Sequence, residues 1–116
     1  MRVQAMRTAL AVLAGLLGMT HLALTPLAYA DWTIEALWFV GTGLAIVGAA
    51  LANLMANQVT TPVRRSALAG INLVMGCFFA AAWSVLPGPQ VILGGILFMS
   101  LAVFAIANGS TKTETA

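Results

Sequence analysis

Four long apolar stretches, separated by short polar intervals, organise the chain: Thr8 to Ala30, Ile34 to Ala56, Ser66 to Leu86 and Val91 to Ala107. A helix rises about 1.5 Å per residue, and the hydrocarbon of a bilayer is roughly 30 Å thick, so a spanning helix takes about 20 residues. The first three stretches meet that length. The fourth is marginal and is expected to borrow Gln90 and Asn108 at its ends. The apolar positions show no period of two, and runs this long do not suit strands. A helix in hydrocarbon also satisfies its own backbone hydrogen bonds. The pattern therefore predicts an all-α integral membrane bundle of four transmembrane helices. It forms a single domain over residues 1–109, followed by a polar cytoplasmic tail at 110–116.

The intervals carry recognisable chemistry. Asp31, Trp32 and Thr33 part the first two stretches, with Thr33 placed to cap the second helix. Glu35 then falls in its first turn, where the helix dipole favours an acid. Asn57 to Arg65 is the longest connection, and Pro62 is expected to stop either flanking helix from running through it. Pro87-Gly88-Pro89 predicts a tight turn.

Composition sharpens this picture. The chain is 61% apolar and only 7% charged, whereas soluble domains are about a quarter charged. It cannot clothe a core in polar surface, so its expected partner is the lipid bilayer. The net charge of +2 comes from five scattered basic residues with no interleaved aromatics, which excludes a nucleic-acid surface. The lone Cys77 excludes an intrachain disulfide and a cysteine zinc motif, and reads as a small apolar filler.

The basic residues also set an orientation. With four crossings, Arg2, Arg7, Arg64, Arg65 and Lys112 all fall on one side. The opposite connections hold Asp31 and Glu35 and no Lys or Arg. The positive-inside rule then puts both termini in the cytoplasm, across a bacterial-type inner (plasma) membrane. Tyr29, Trp32, Trp38 and Trp83 gather toward the outer side, as an interfacial aromatic belt requires. A second expectation competes. Arg2 and Arg7, the apolar Thr8–Met19 segment, Pro26 and Ala28-Tyr29-Ala30 resemble a secretory signal peptide. Cleavage after Ala30 would leave three helices. The apolar run outlasts the usual signal core of about 7–15 residues, which favours a retained first helix.

Polar residues inside the stretches are few. Gly41, Ala45, Ala49, Asn53 and Asn57 share one face of the second helix, and Asn72, Gly76, Ala80 and Ser84 share one face of the third. These stripes are expected to meet, with Asn53 or Asn57 near Asn72 at one end and Gly41 near Ser84 at the other. Asn53, Asn57, Asn72 and Ser84 are thus expected as helix-packing polar groups. His21, the only histidine, lies within the first helix, and ionisable groups in a span are costly and often functional. An outer-facing ligand pocket of His21, Glu35, Trp38, Trp83 and Gln90 is the expected site. The structural alternative has His21 tying helices together, Glu35 solvated and the tryptophans anchoring at the interface.

No zinc-protease, dithiol, nucleophile-elbow or phosphate-loop motif occurs. No catalytic residue, metal site or cofactor is therefore expected. A haem would need His21 from two chains, or His21 with a methionine. Three functions remain as expectations: helix-mediated assembly with itself or a membrane complex, a small oligomeric transporter or permeability protein built around His21, and a redox or lipid-modifying enzyme subunit.

Overall fold

The computed structural model describes residues 2–56 and 61–111. Over these the chain forms four helices and no strand: α1 (Arg2–Ala28), α2 (Ile34–Met55), α3 (Pro62–Ala82) and α4 (Pro89–Thr111). All four are long and apolar enough to cross a membrane. At about 1.5 Å per residue, even the 21 residues of α3 reach about 32 Å.

The helix limits differ from the apolar limits, because helical geometry does not require apolar residues. α1 starts at Arg2 rather than Thr8, through a run of good helix formers. No described helix runs through Pro62, as expected, but it is itself the first residue of α3, so residues 62–65 belong to the helix and not to the connection. Proline fits a first helical position, where its missing N–H would have no partner and its fixed φ suits the helix. The same holds for Pro89, which begins α4. α3 ends at Ala82, short of Leu86, and its end tightens through Ser84 N–H to the Ala81 carbonyl and Val85 N–H to the Ala82 carbonyl. The backbone of residues 110–111, expected in the tail, continues α4. The cap of α2 is as the sequence implies: the Ala36 N–H donates to Thr33 Oγ1 at 3.3 Å, with Glu35 in the first turn.

α1 packs along α2, and α3 along α4. α1 and α4 join these hairpins, while α2 and α3 touch little. Ala11 and Ala14 of α1, Ile46 and Ala50 of α2, Phe79 of α3, and Phe98 and Leu101 of α4 form the buried core. Glycines set the closest approaches. A Cβ on Gly18 would lie 2.8 Å from Val47 Cγ2 and 3.0 Å from the Val47 backbone nitrogen, so α1 rests against the backbone of α2. Gly94 of α4 accommodates the ring of Phe79, which an added Cβ would overlap. Such small residues let helix backbones approach closely.

One end of the bundle carries Arg2, Arg7, Arg64 and Arg65 (the basic end); the other carries Asp31 and Glu35 (the acidic end). Near the basic end α2 and α3 are tied by a reciprocal amide pair. Asn53 Nδ2 donates to Asn72 Oδ1 at 2.7 Å, and Asn72 Nδ2 donates to Asn53 Oδ1 at 2.9 Å. Asn53 Nδ2 also donates to the Ala49 carbonyl at 2.8 Å. Both side chains are buried.

The stripes do not meet beyond this pair. Nothing lies within 4 Å of where a Gly41 Cβ would sit, and Gly76 is covered by Met99 of α4 rather than by α2. Ser84 is exposed, its hydroxyl donating to the Ala81 carbonyl at 2.7 Å. Small residues opposite small residues leave a gap, whereas Phe79 against Gly94 and Met99 against Gly76 fill the α3–α4 seam. Asn57 lies outside the described residues. Cys77, expected as a small buried filler, is instead exposed on the outward side of α3. Arg7, read from sequence only as an orientation signal, is buried and donates from Nη2 to the carbonyl of Ala56, the C-cap of α2, at 2.8 Å. A cation suits the negative end of a helix dipole.

Candidate functional site

At the acidic end α2 and α3 stand apart, and a cleft of about 350 Å³ opens between them. Its walls come from every helix: Leu17 and His21 of α1, Glu35, Trp38, Phe39, Thr42 and Ile46 of α2, Phe78, Phe79 and Ala82 of α3, and Gln90 and Val91 of α4. Tyr29, Val85 and Leu86 complete it from the two connections. Ile46, Phe79 and Val91 belong to the buried core that continues to Phe98 and Leu101. The cleft therefore has a closed, apolar floor.

His21 reaches this cleft because α1 and α2 approach closely beside it. A Cβ at Gly43 would lie 2.7 Å from Leu22 Cδ2 and 3.3 Å from His21 Cδ2, so the glycine makes the room into which both side chains settle. One turn earlier on α2, Phe39 stacks on the imidazole, with ring centroids 3.7 Å apart and planes 19° apart. Tyr29 meets the same Phe39 edge-on at 5.4 Å. His21 is half-buried. Its Nε2 is fully shielded and lacks a hydrogen-bond partner, although the Phe39 backbone lies within electrostatic reach of the ring. One turn further along α1, Thr25 Oγ1 donates to the His21 carbonyl at 3.3 Å.

The remaining polar groups sit at the rim. Glu35 and Trp38 are exposed on α2, and the Thr42 hydroxyl donates to the Trp38 carbonyl at 3.0 Å. Gln90 is exposed in the first turn of α4. Its amide folds back over Gly88, where an added Cβ would lie 2.6 Å from both Gln90 Nε2 and Oε1. The flexible Gln90 side chain could swing aside for a larger residue there, and the φ of Gly88 is not positive.

Of the sequence-expected ligand residues, His21, Glu35, Trp38 and Gln90 line this one cleft. Trp83 does not. It lies on a separate groove between α3 and α4, beside Ala80, Ile92 and Met99. The reason is helical phase: Phe78 and Ala82 share the cleft face of α3, Phe79 borders both hollows, and Trp83 lies beyond it toward α4. Phe39 and Thr42 were not anticipated. Their signal was present, because Glu35, Trp38, Phe39, Thr42 and Ile46 recur at helical spacing on one face. A larger groove of about 510 Å³ runs between α2 and α3, but its lining, including Ala45, Gly48, Gly70 and Val74, has no polar side chain.

Among the described residues no three His, Cys, Asp or Glu side chains gather as metal ligands. The lining of the cleft includes no methionine that could join His21 on a haem iron. Comparison of the chain with protein-family models, curated proteins and solved structures finds no match.

Proposed function

We propose that this chain is a multi-pass protein of a bacterial-type plasma membrane that binds a lipid-soluble small molecule in its acidic-end cleft. The observation that carries this reading is the convergence of His21, Glu35, Trp38 and Gln90, from three helices, on one mostly apolar cavity. Small-molecule sites are typically concave, apolar, and about 300–1,000 Å³ in volume, with a few polar groups that fix orientation. Glu35 and Gln90 at the rim supply such groups, and the His21 imidazole borders the cavity beside them. Arg2, Arg7, Arg64, Arg65 and Lys112 would face the cytoplasm, which turns the cleft outward. The closed floor favours a one-sided binding site over a through-path.

The test is saturable labelling by a neutral photoreactive probe, decyl benzophenone, of the full chain in nanodiscs. Labelled residues should fall on the cleft, and both His21→Leu and the cleft-filling Ala82→Trp should weaken binding by on the order of tenfold. Labelling that ignores both substitutions overturns the proposal.

A second reading, self-assembly, is favoured by a different observation. Gly41, Gly48 and Gly70 present open backbone on the outer surface of the bundle, with nothing within 4 Å of their missing Cβ atoms. Small residues of this kind admit a neighbouring helix closely. A second copy of the chain would use them, and Gly48→Leu with Gly70→Leu should then abolish oligomers in native mass spectrometry. Oligomers that survive both changes count against this reading.

A further inference from the structure

We infer that the molecule taken by the acidic-end cleft is a lipophilic organic cation; this rests on the binding role proposed above and names its ligand class. Three features carry it. The first is charge. Asp31 and Glu35 are the only charged residues at that end, and no Lys or Arg accompanies them. Glu35 stands on the rim of the cleft itself. An anion would meet a carboxylate and no cation, while a neutral molecule would leave that carboxylate unused.

The second is the wall. Tyr29, Trp38, Phe39, Phe78 and Phe79 bring five aromatic rings to one cavity. Aromatic faces are electronegative, and a cation within about 6 Å of a ring centroid is attracted, most strongly by tryptophan. The attraction grows where water is excluded. Trp38 lies one turn from Glu35 on the same face of α2, so ring and carboxylate address one ligand from one side.

The third is His21. Its imidazole stacks on Phe39 in the cleft wall, with ring centroids 3.7 Å apart, and adds to the aromatic surface there. The groups that face the cleft are His21 from α1, Tyr29 from the first connection, Glu35 from α2 and the uncharged Gln90 from α4; α3 contributes no titratable side chain. Only a protonated His21 would oppose a cation there.

Tetraphenylphosphonium and tetraphenylborate have nearly the same shape and opposite charge, and they separate the alternatives. Saturable binding of each is measured to the full chain in nanodiscs, relative to its own partition into empty nanodiscs. Tetraphenylphosphonium should bind at least about tenfold more tightly. Glu35→Gln should shrink that preference by about tenfold, and Trp38→Leu should weaken the cation selectively. Equal binding of the two ions, or a preference untouched by Glu35→Gln, overturns the inference. If the neutral photoreactive probe still labels the cleft in that case, the binding role stands and only the cation class fails. If neither ion nor the neutral probe binds saturably, both fall together.

Discussion

Removing the Asn53–Asn72 pair tests how this bundle holds its two hairpins together. The amides exchange two interhelical hydrogen bonds. Inside a membrane such bonds average about 0.6 kcal/mol each, so the pair contributes about 1.2 kcal/mol. A single substitution costs more, because it also strands the surviving buried amide, at about 1–3 kcal/mol. The two single variants are not equivalent. After Asn72→Ala, Asn53 keeps its bond to the Ala49 carbonyl. After Asn53→Ala, Asn72 loses both of its described bonds. Asn53→Ala should therefore be the more damaging, by about 1 kcal/mol, near one additional lost bond. The double variant strands nothing, so it should cost clearly less than the sum of the singles, with a coupling energy of about 2 kcal/mol. Reversible unfolding in bicelles titrated with dodecyl sulfate, run as a double-mutant cycle, measures each quantity. Additivity within about 0.5 kcal/mol would show that the two residues do not act as a pair.

Three further outcomes follow from the same packing. Gly18→Ala should destabilise the bundle by about 1–3 kcal/mol in that unfolding assay, because its Cβ meets the backbone of α2, while Gly48→Ala, in open space, should be neutral or slightly stabilising. Arg7→Leu should cost about 1–3 kcal/mol through the unpartnered Ala56 carbonyl, and Arg7→Lys should restore part of it; equal losses in both would refute the capping role. Intact mass spectrometry of membrane-extracted protein should show that the segment before Asp31 is retained. A product beginning at Asp31 would lack His21 and one wall of the cleft, and the binding proposal would fall with it.

Much of the fold was legible because a membrane span is a demanding requirement. A continuous apolar run of the right length admits few alternatives, and the number of helices, the Thr33 cap and the place of every connection followed from it. Helix ends were less legible. Apolar character marks where a helix could sit in lipid, not where its hydrogen bonds stop, so Arg2–Arg7, Pro62–Arg65 and Pro89 were assigned outside helices they belong to. Partner choice was legible only where polarity decided it. An amide in hydrocarbon needs a partner, which put Asn53 or Asn57 near Asn72, and the structure pairs Asn53 with it. Gly41, Gly76 and Ser84 have no such need. Whether Gly76 takes Met99 or a residue of α2 depends on side-chain shape across a seam, which one-dimensional spacing does not encode. Four of the five expected ligand residues line one cleft for the same reason that Trp83 does not: adjacent positions on a helix differ by about 100° in direction.

The uneven packing of the two hairpins explains why a cleft forms at one end only. At the basic end the α2–α3 interface is closed by groups that cannot be left unpaired, the two asparagine amides, and Arg7 fastens the end of α2 to α1. Toward the acidic end the pairing demands vanish, and size takes over. α1 settles into α2 at Gly18 and Gly43, and α3 settles onto α4 at Gly76 and Gly94. Each close approach draws a helix away from the α2–α3 line. Gly41, with nothing within 4 Å of its missing Cβ, and the small, exposed Ala45 offer no bulk to bridge the gap. The space that results is bordered by the side chains the two seams leave over: the stacked His21–Phe39 pair on one wall and the Phe78–Phe79 rings on the other. On this account the cleft is a consequence of where the glycines lie. Enlarging Gly43, which would push His21 and Leu22 off α2, should change the shape of the cleft more than any substitution at its exposed rim.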